Sequence, residues 1–142
     1  MKRLLLLLAI LLSSFSFSQD GIVLSQESAN EKGITPIWPK CANASRQTPA
    51  QCFDQKLRKH IFATFEYPEV AVPLGLTGTV TVEFIVNQKG KVEVIEVTGA
   101  HRYLQQEAIR MIRAIPKMKP AKWGNKPISV AYSVPITFRK PQ

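Results

Sequence analysis

The chain has 142 residues, 45% of them hydrophobic, and its 19 Lys and Arg residues against 10 Asp and Glu residues give a formal net charge of +9. This length suits one modest domain and leaves little chain for a second. A basic excess often indicates nucleic-acid binding, but the basic residues form no dense run with interleaved aromatics. We therefore expect no nucleic-acid partner and interpret the charge as a solvated basic surface, with attraction to acidic surfaces as the alternative.

The N-terminus has the layout of a secretory signal peptide. Lys2 and Arg3 precede an unbroken apolar run over residues 4–12, and small residues precede Gln19 as at a cleavage site. The apolar run is shorter than the ~20 residues that cross a bilayer. We predict a cleaved signal peptide over residues 1–18 and an exported chain; an uncleaved N-terminus that anchors the chain in the inner membrane is the alternative.

The next segment, residues 19–52, is predicted to be a flexible leader followed by a stapled loop. Its first half is mainly polar, and Ile22-Val23-Leu24 is an apolar cluster with room for one short strand. Cys41 and Cys52 are the two cysteines of the chain. An even count in an exported chain favours a disulfide, which would stabilise the fold by roughly 3 kcal/mol in the chain-entropy model.

A helical pattern begins at Phe53. Apolar residues recur at every fourth position, at Phe53, Leu57, Ile61 and Phe65. This spacing predicts an amphipathic helix. The helix should end before Tyr67-Pro68, because the residue that precedes a proline avoids the α region.

Two strands and a tight turn follow. The first strand alternates with a period of two, and its apolar residues are Val80, Val82, Phe84 and Val86. Asn87-Gln88-Lys89-Gly90 predicts a turn with Gly90 at a positive φ. In the second strand the apolar face shifts by one residue between Val94 and Ile95, which predicts a β-bulge.

A second helix and a long strand complete the pattern. The helix carries one apolar stripe and ends at Pro116; the stripe consists of Leu104, Ala108, Met111, Ile112 and Ile115. Residues 128–138 then alternate strictly between large apolar and small or polar side chains. The order helix, strand, strand, helix, strand predicts an α+β fold in which an antiparallel sheet carries the helices on its apolar face.

An ordered set of short motifs spans residues 65–140. They are Tyr67-Pro68, Gly75-Leu76-Thr77-Gly78 before a Val/Phe strand, Asn87-Gln88-Lys89-Gly90, the prolines Pro116 and Pro120, Lys126-Pro127, and Tyr132 with Pro135-Ile136-Thr137-Phe138. Together they resemble the C-terminal domain of TonB proteins. The resemblance implies a domain over residues 53–142 built as a three-stranded antiparallel sheet with two helices on one face.

The resemblance also implies a function in the periplasm. TonB proteins couple the inner-membrane proton-motive complex to outer-membrane receptors for iron chelates, vitamin B12 and similar cargo, and their C-terminal domain binds an extended receptor segment as an added strand. Tyr67 and Pro68 would then contact the receptor. A separate membrane-anchored transducer would be a further partner, because the sequence shows no convincing transmembrane helix and no long Pro/Lys-rich spanner.

Other interpretations use the same fold. One is a periplasmic scaffold, or a module that binds peptidoglycan or another protein without a part in transport. The other is a transducer that its uncleaved N-terminus keeps in the membrane. The sequence leaves open whether the domain is a monomer or a dimer that exchanges strands.

The last strand indicates where an added strand would pair. Pro135 has no N–H, so it should not face an interior neighbour. Every second residue of a strand directs its backbone N–H and C=O to the same edge, so Ser129, Ala131 and Ser133 share an edge with Pro135. If that edge is the free outer one, the backbone groups of these residues can pair with a peptide. The alternative is an ordinary edge strand that proline protects from pairing.

The sequence carries no pattern typical of catalysis. His60 and His101 belong to no His-x-x-x-His or Cys/His cluster. A nucleophile elbow, a phosphate-binding loop and a dinucleotide-binding glycine motif are also missing. We therefore expect a binding protein that is not an enzyme and needs neither a metal ion nor a cofactor.

Overall fold

The structure is a computed structural model, and it describes residues 21–43 and 45–142. The signal peptide predicted over residues 1–18 lies outside these residues. The elements in chain order are β1 (Val23–Ser25), α1 (Gln26–Glu31), α2 (Pro49–Thr64), a 3₁₀ turn (Glu69–Ala71), β2 (Gly78–Val86), β3 (Val92–Thr98), α3 (Arg102–Arg113), β4 (Ala121–Trp123) and β5 (Lys126–Phe138).

The sheet of the described chain is mixed and has five strands. Its order is β1-β5-β2-β3, and β4 pairs with β5 beside this path. β2 lies antiparallel to both β3 and β5, whereas β1 runs parallel to β5. The predicted α+β class is confirmed, but the sheet has more strands than the three predicted. β1 lies where the apolar cluster has room for a short strand, whereas β4 is not predicted, because three residues are too few to show a period of two.

The core lies between the sheet and the helices. The apolar stripe predicted for α3 is buried throughout. The rings of Phe53 on α2 and Tyr132 on β5 stack with 4.5 Å between centroids, and Tyr132 stacks in turn on Phe84 of β2 at 5.5 Å. This aromatic column fixes α2 to the two central strands.

Helix α2 begins at Pro49 rather than at the predicted Phe53. A capping box starts it: the Gln51 N–H donates to the Thr48 hydroxyl at 3.2 Å, and the Thr48 N–H donates to the Gln51 side-chain oxygen at 3.0 Å. The stapled loop predicted up to residue 52 therefore ends earlier, since Pro49 suits the first turn of a helix. Cys52 therefore lies on α2, where the predicted disulfide to Cys41 is confirmed.

The segment predicted as a flexible leader differs most from expectation. Val23 and its neighbours form β1, and Ser25 caps α1 by accepting the Ser28 N–H at 3.3 Å. Trp38 is 6% exposed and packs edge-on against Phe53, with 5.6 Å between ring centroids. The polar composition concealed this order, because α1 buries a single residue, Ala29.

The turn and the bulge predicted around β2 and β3 are confirmed. The register shifts opposite Glu83 and Phe84 and leaves Ile95 as the extra residue. In the turn, Gly90 has φ +77° and accepts the Met118 N–H at 3.0 Å. A Cβ at this position would lie 1.7 Å from the Met118 carbonyl oxygen, so the close approach requires glycine.

Candidate functional site: an open strand edge beside an apolar groove

The outer edge of β5 is divided between a stretch that pairs with β1 and an open stretch. β1 covers residues 129–131. The described residues supply no strand for positions 132–138 on this edge. The prediction of a free edge at Ser129 and Ala131 is therefore wrong, because the segment expected to be flexible pairs there as β1. Ser133 lies on the open stretch.

The backbone parity of β5 decides which groups point outward. The Ser129 N–H donates to the Ile22 carbonyl oxygen at 3.2 Å and so faces the outer edge. The β5–β2 register runs from Val130 to Phe138 with no shift, so Ser133, Pro135 and Thr137 share that parity. Pro135 therefore lies at a position whose backbone groups point away from β2, so the lack of an N–H costs no hydrogen bond to β2. Outward donors come from Ser133 and Thr137, and outward carbonyl acceptors come from all three.

An apolar groove of about 740 Å³ lies between this open stretch and α2. One wall is β5 at residues 133–137, and the other consists of Asp54, Leu57, Arg58, Ile61, Phe62 and Phe65 of the α2 segment, with Gln26 at one end. The apolar face of α2 is buried at Phe53 but less covered further along, where Phe65 is 37% exposed; next to this face, Phe62 is 88% exposed. Two aromatic rings are thus presented to whatever lies along β5.

Helix α3 holds the wall of the groove in place. His60 Nε2 lies 2.8 Å from a carbonyl oxygen of α3. The Arg110 guanidinium donates to the Thr64 carbonyl oxygen at 2.6 Å and to the Glu107 carboxylate at 2.5 Å, and Glu107 also accepts the Glu66 N–H at 3.2 Å. These bonds satisfy backbone groups that a helix end leaves unpaired. The hydrogen bond that Arg110 donates to Glu107 raises the pKa of Arg110 above its ordinary value.

Tyr67 and Pro68, predicted to contact a partner, do not line the groove. Tyr67 is half-buried, and its hydroxyl donates to the Leu76 carbonyl oxygen. Pro68 precedes the 3₁₀ turn as its N-cap residue. Both residues therefore have structural contacts that explain the Tyr-Pro pair without a partner.

Phe65 and Phe62 are the groove residues that sequence analysis placed elsewhere or missed. Phe65 belongs to the predicted apolar stripe, but it is 37% exposed, and its ring centroid lies 5.2 Å from that of Phe138. Phe62 lies off the four-residue period, and a large aromatic in that position is the signal that would have identified an exposed anchor.

The groove offers apolar surface and main-chain hydrogen-bonding groups. Within residues 21–43 and 45–142, no group of three or more His, Cys, Asp or Glu side chains is arranged to hold a metal ion. Over the same residues, no helix combines the length and apolar character needed to cross a bilayer. An extended peptide is the ligand whose chemistry fits an open strand edge next to such a groove.

A small α+β domain with an open strand edge is the class that the fold and the groove define. The family model of the Gram-negative bacterial TonB protein C-terminal matches residues 63–139. This match covers more than half of the chain, and the chain therefore belongs to the TonB C-terminal family. The resemblance stated from the sequence motifs is confirmed.

A solved structure supports the fold. An NMR solution structure of the Helicobacter pylori TonB C-terminal domain is similar with a TM-score of 0.51 and 23% identity, over 70% of this chain and 89% of that one. A shorter fragment of the same H. pylori domain gives a TM-score of 0.43 and 26% identity, over 61% of this chain and 91% of that one. A comparison with curated proteins gives no match.

Proposed function

We propose that this domain works in the periplasm and binds the extended N-terminal segment of a TonB-dependent outer-membrane receptor, which adds to β5 as a further strand. The observation that carries the proposal is the open stretch of β5, whose outward groups at Ser133, Pro135 and Thr137 border the apolar groove. Membership of the TonB C-terminal family supports the choice of partner.

The groove predicts the pattern of side chains in the bound segment. In an added strand, successive side chains point to opposite faces of the sheet. One set would enter the groove and pack against Ile61, Phe62 and Phe65. The other set would lie beside the exposed Ser133 and Pro135 on the face away from the helices. A receptor segment with an apolar residue at every second position meets both requirements.

In this proposal the domain is a binding module for energy-coupled transport and not an enzyme. It would act together with a separate membrane-anchored transducer, and the signal peptide predicted for residues 1–18 would deliver it to the periplasm. The groove recognises the receptor, and the force comes from the partner complex.

Calorimetric titration with synthetic receptor N-terminal peptides tests the proposal. Ser133→Pro removes one outward N–H without touching a bond to β2, whereas Ser133→Ala keeps that N–H. We expect the proline variant to bind about 5–10-fold more weakly, because a net hydrogen bond contributes about 1 kcal/mol and a peptide acceptor is left unpaired. The alanine variant should bind like the wild type. Circular dichroism of both variants checks that the fold is intact.

N-methylation of the peptide provides a second readout. Methyl groups placed on successive peptide amides should weaken binding only at every second position, since alternate amides face β5. Equal affinity of wild type and Ser133→Pro, or weakening without a period of two, would rule out strand addition at this edge.

A further inference from the structure

Two loops lie together at the end of the sheet where β5 begins. Val86, the last residue of β2, pairs with Val130, so the β2–β3 turn lies at this end. The β4–β5 hairpin, residues 121–128, extends from the same end. The Met118 N–H, just before β4, donates to the Gly90 carbonyl oxygen at 3.0 Å and joins the two loops.

This end of the molecule carries a concentration of exposed lysines. They are Lys32, Lys40, Lys89, Lys91, Lys117, Lys119, Lys122 and Lys126, named here the lysine end. Lys40, Lys117 and Lys119 line one shallow depression. Among the described residues, the ion pair of the molecule joins Glu107 and Arg110, away from the lysine end. In that part of the chain, none of these lysines forms an ion pair with a carboxylate. The nearby Glu93 is engaged by the Asn87 side chain at 3.0 Å.

An exposed tryptophan lies among these lysines. Trp123 is 48% exposed near the tip of the hairpin and is paired across the strands with Lys126. The Lys32 ammonium lies 5.3 Å from its ring centroid. Trp38, the other tryptophan, is 6% exposed and belongs to the core. An amphipathic ring beside several lysines is the combination that anionic membrane interfaces attract.

We infer that the lysine end docks on the anionic headgroups of a phospholipid membrane surface, with Trp123 inserted at the interface. The groove stays accessible in this orientation. Lys126 and Pro135 are nine positions apart on β5, which is roughly 30 Å along a strand. The domain would therefore hold a membrane surface at one end and its peptide towards the other.

Vesicle sedimentation tests the inference with the full exported chain. Vesicles containing phosphatidylglycerol are compared with vesicles of phosphatidylcholine alone. Each lysine near an anionic surface contributes about fivefold in affinity. The variant Lys119→Glu/Lys122→Glu/Lys126→Glu should therefore lose at least about a hundredfold, because each glutamate also adds a repelled charge. The matched variant Lys59→Glu/Arg113→Glu/Lys140→Glu changes the net charge equally at exposed positions elsewhere and should lose far less. Binding of the wild type should weaken as salt is raised from 0.05 to 0.5 M, as screening requires.

Tryptophan fluorescence reports the orientation. The emission of the wild type should shift to shorter wavelength on anionic vesicles, and the shift should disappear in Trp123→Phe, because Trp38 is already buried. No binding to phosphatidylglycerol vesicles, equal binding to both lipids, or equal losses in the two triple variants would overturn the inference. Binding without a shift from Trp123 would overturn it as well. Because receptor peptides are not used, either result leaves the strand-addition test independent.

Discussion

Replacing Phe62 by alanine separates a binding role for the groove from a structural one. The side chain is 88% exposed, so its removal uncovers almost no core, and the free energy of unfolding should change by less than about 0.5 kcal/mol. In the proposed complex the same ring lies against the added peptide. The variant should therefore remain folded and lose affinity for receptor peptides.

The size of the loss follows from the area of the ring. A phenylalanine side chain buries on the order of 200 Å² when fully enclosed, and a peptide lying along one side of it would cover about half. At about 25 cal/mol per Å², covering ~100 Å² contributes ~2.5 kcal/mol. Phe62→Ala should weaken binding by roughly 60-fold at 25 °C, since 1.4 kcal/mol corresponds to a factor of ten.

Leu74→Ala is the matched control for this measurement. Leu74 is also a large exposed apolar residue, at 60%, but it does not line the groove. Titration of both variants and the wild type with the same receptor peptide gives the comparison, and urea unfolding gives their stabilities. A binding role for Phe62 is refuted if Phe62→Ala binds as tightly as Leu74→Ala, or if Phe62→Ala loses more than about 1 kcal/mol of stability.

Two further predictions concern stability. Gly90→Ala should lower the free energy of unfolding by more than about 2 kcal/mol, because the added Cβ would lie 1.7 Å from the Met118 carbonyl oxygen. The control Gly33→Ala has a similar φ of +66° and no atom within 4 Å of the added Cβ, so it should lose only ~1 kcal/mol. Equal losses of the two variants in urea unfolding would contradict the close approach at Gly90. Burial, with a smaller contribution from Asp54, raises the pKa of Tyr132, so the unfolded chain releases this proton first and wild-type stability should fall as the pH rises above ~10. Tyr132→Phe should lose less stability than the wild type between pH 8 and pH 11, and parallel losses would show that Tyr132 does not titrate in this way.

The regular elements could be predicted because their periods are long and unbroken. The stripe of α3 from Leu104 to Ile115 and the alternation of β2 both gave the correct buried face. The bulge at Ile95 was visible as a shift of one residue in that alternation. In each case the burial of one face produces a hydrophobic periodicity in the sequence, and four or more apolar positions at this period are sufficient to predict the buried face.

Which residues pair along the outer edge of β5 could not be predicted, because the short strand that pairs there shows no hydrophobic periodicity. Val23 and Leu24 stood in a polar segment that suggested disorder, yet they pair with Ser129 and Val130. Local composition does not reveal a pairing between positions more than 100 residues apart. Phe62 is missed for a related reason: the helical period identifies residues that face the chain's own core and does not single out exposed ones.

Pro135 shows why the open stretch of β5 suits reversible binding. It lies in the middle of the stretch and offers an acceptor without a donor, so an added strand gains outward N–H groups only from Ser133 and Thr137. An edge with such a gap is poor at pairing with another copy of itself, which protects the chain from uncontrolled association. A peptide can compensate for the gap only where it also fills the groove at Phe62 and Phe65. Selectivity for the peptide would thus come from apolar side chains, and the strand ladder would set its register.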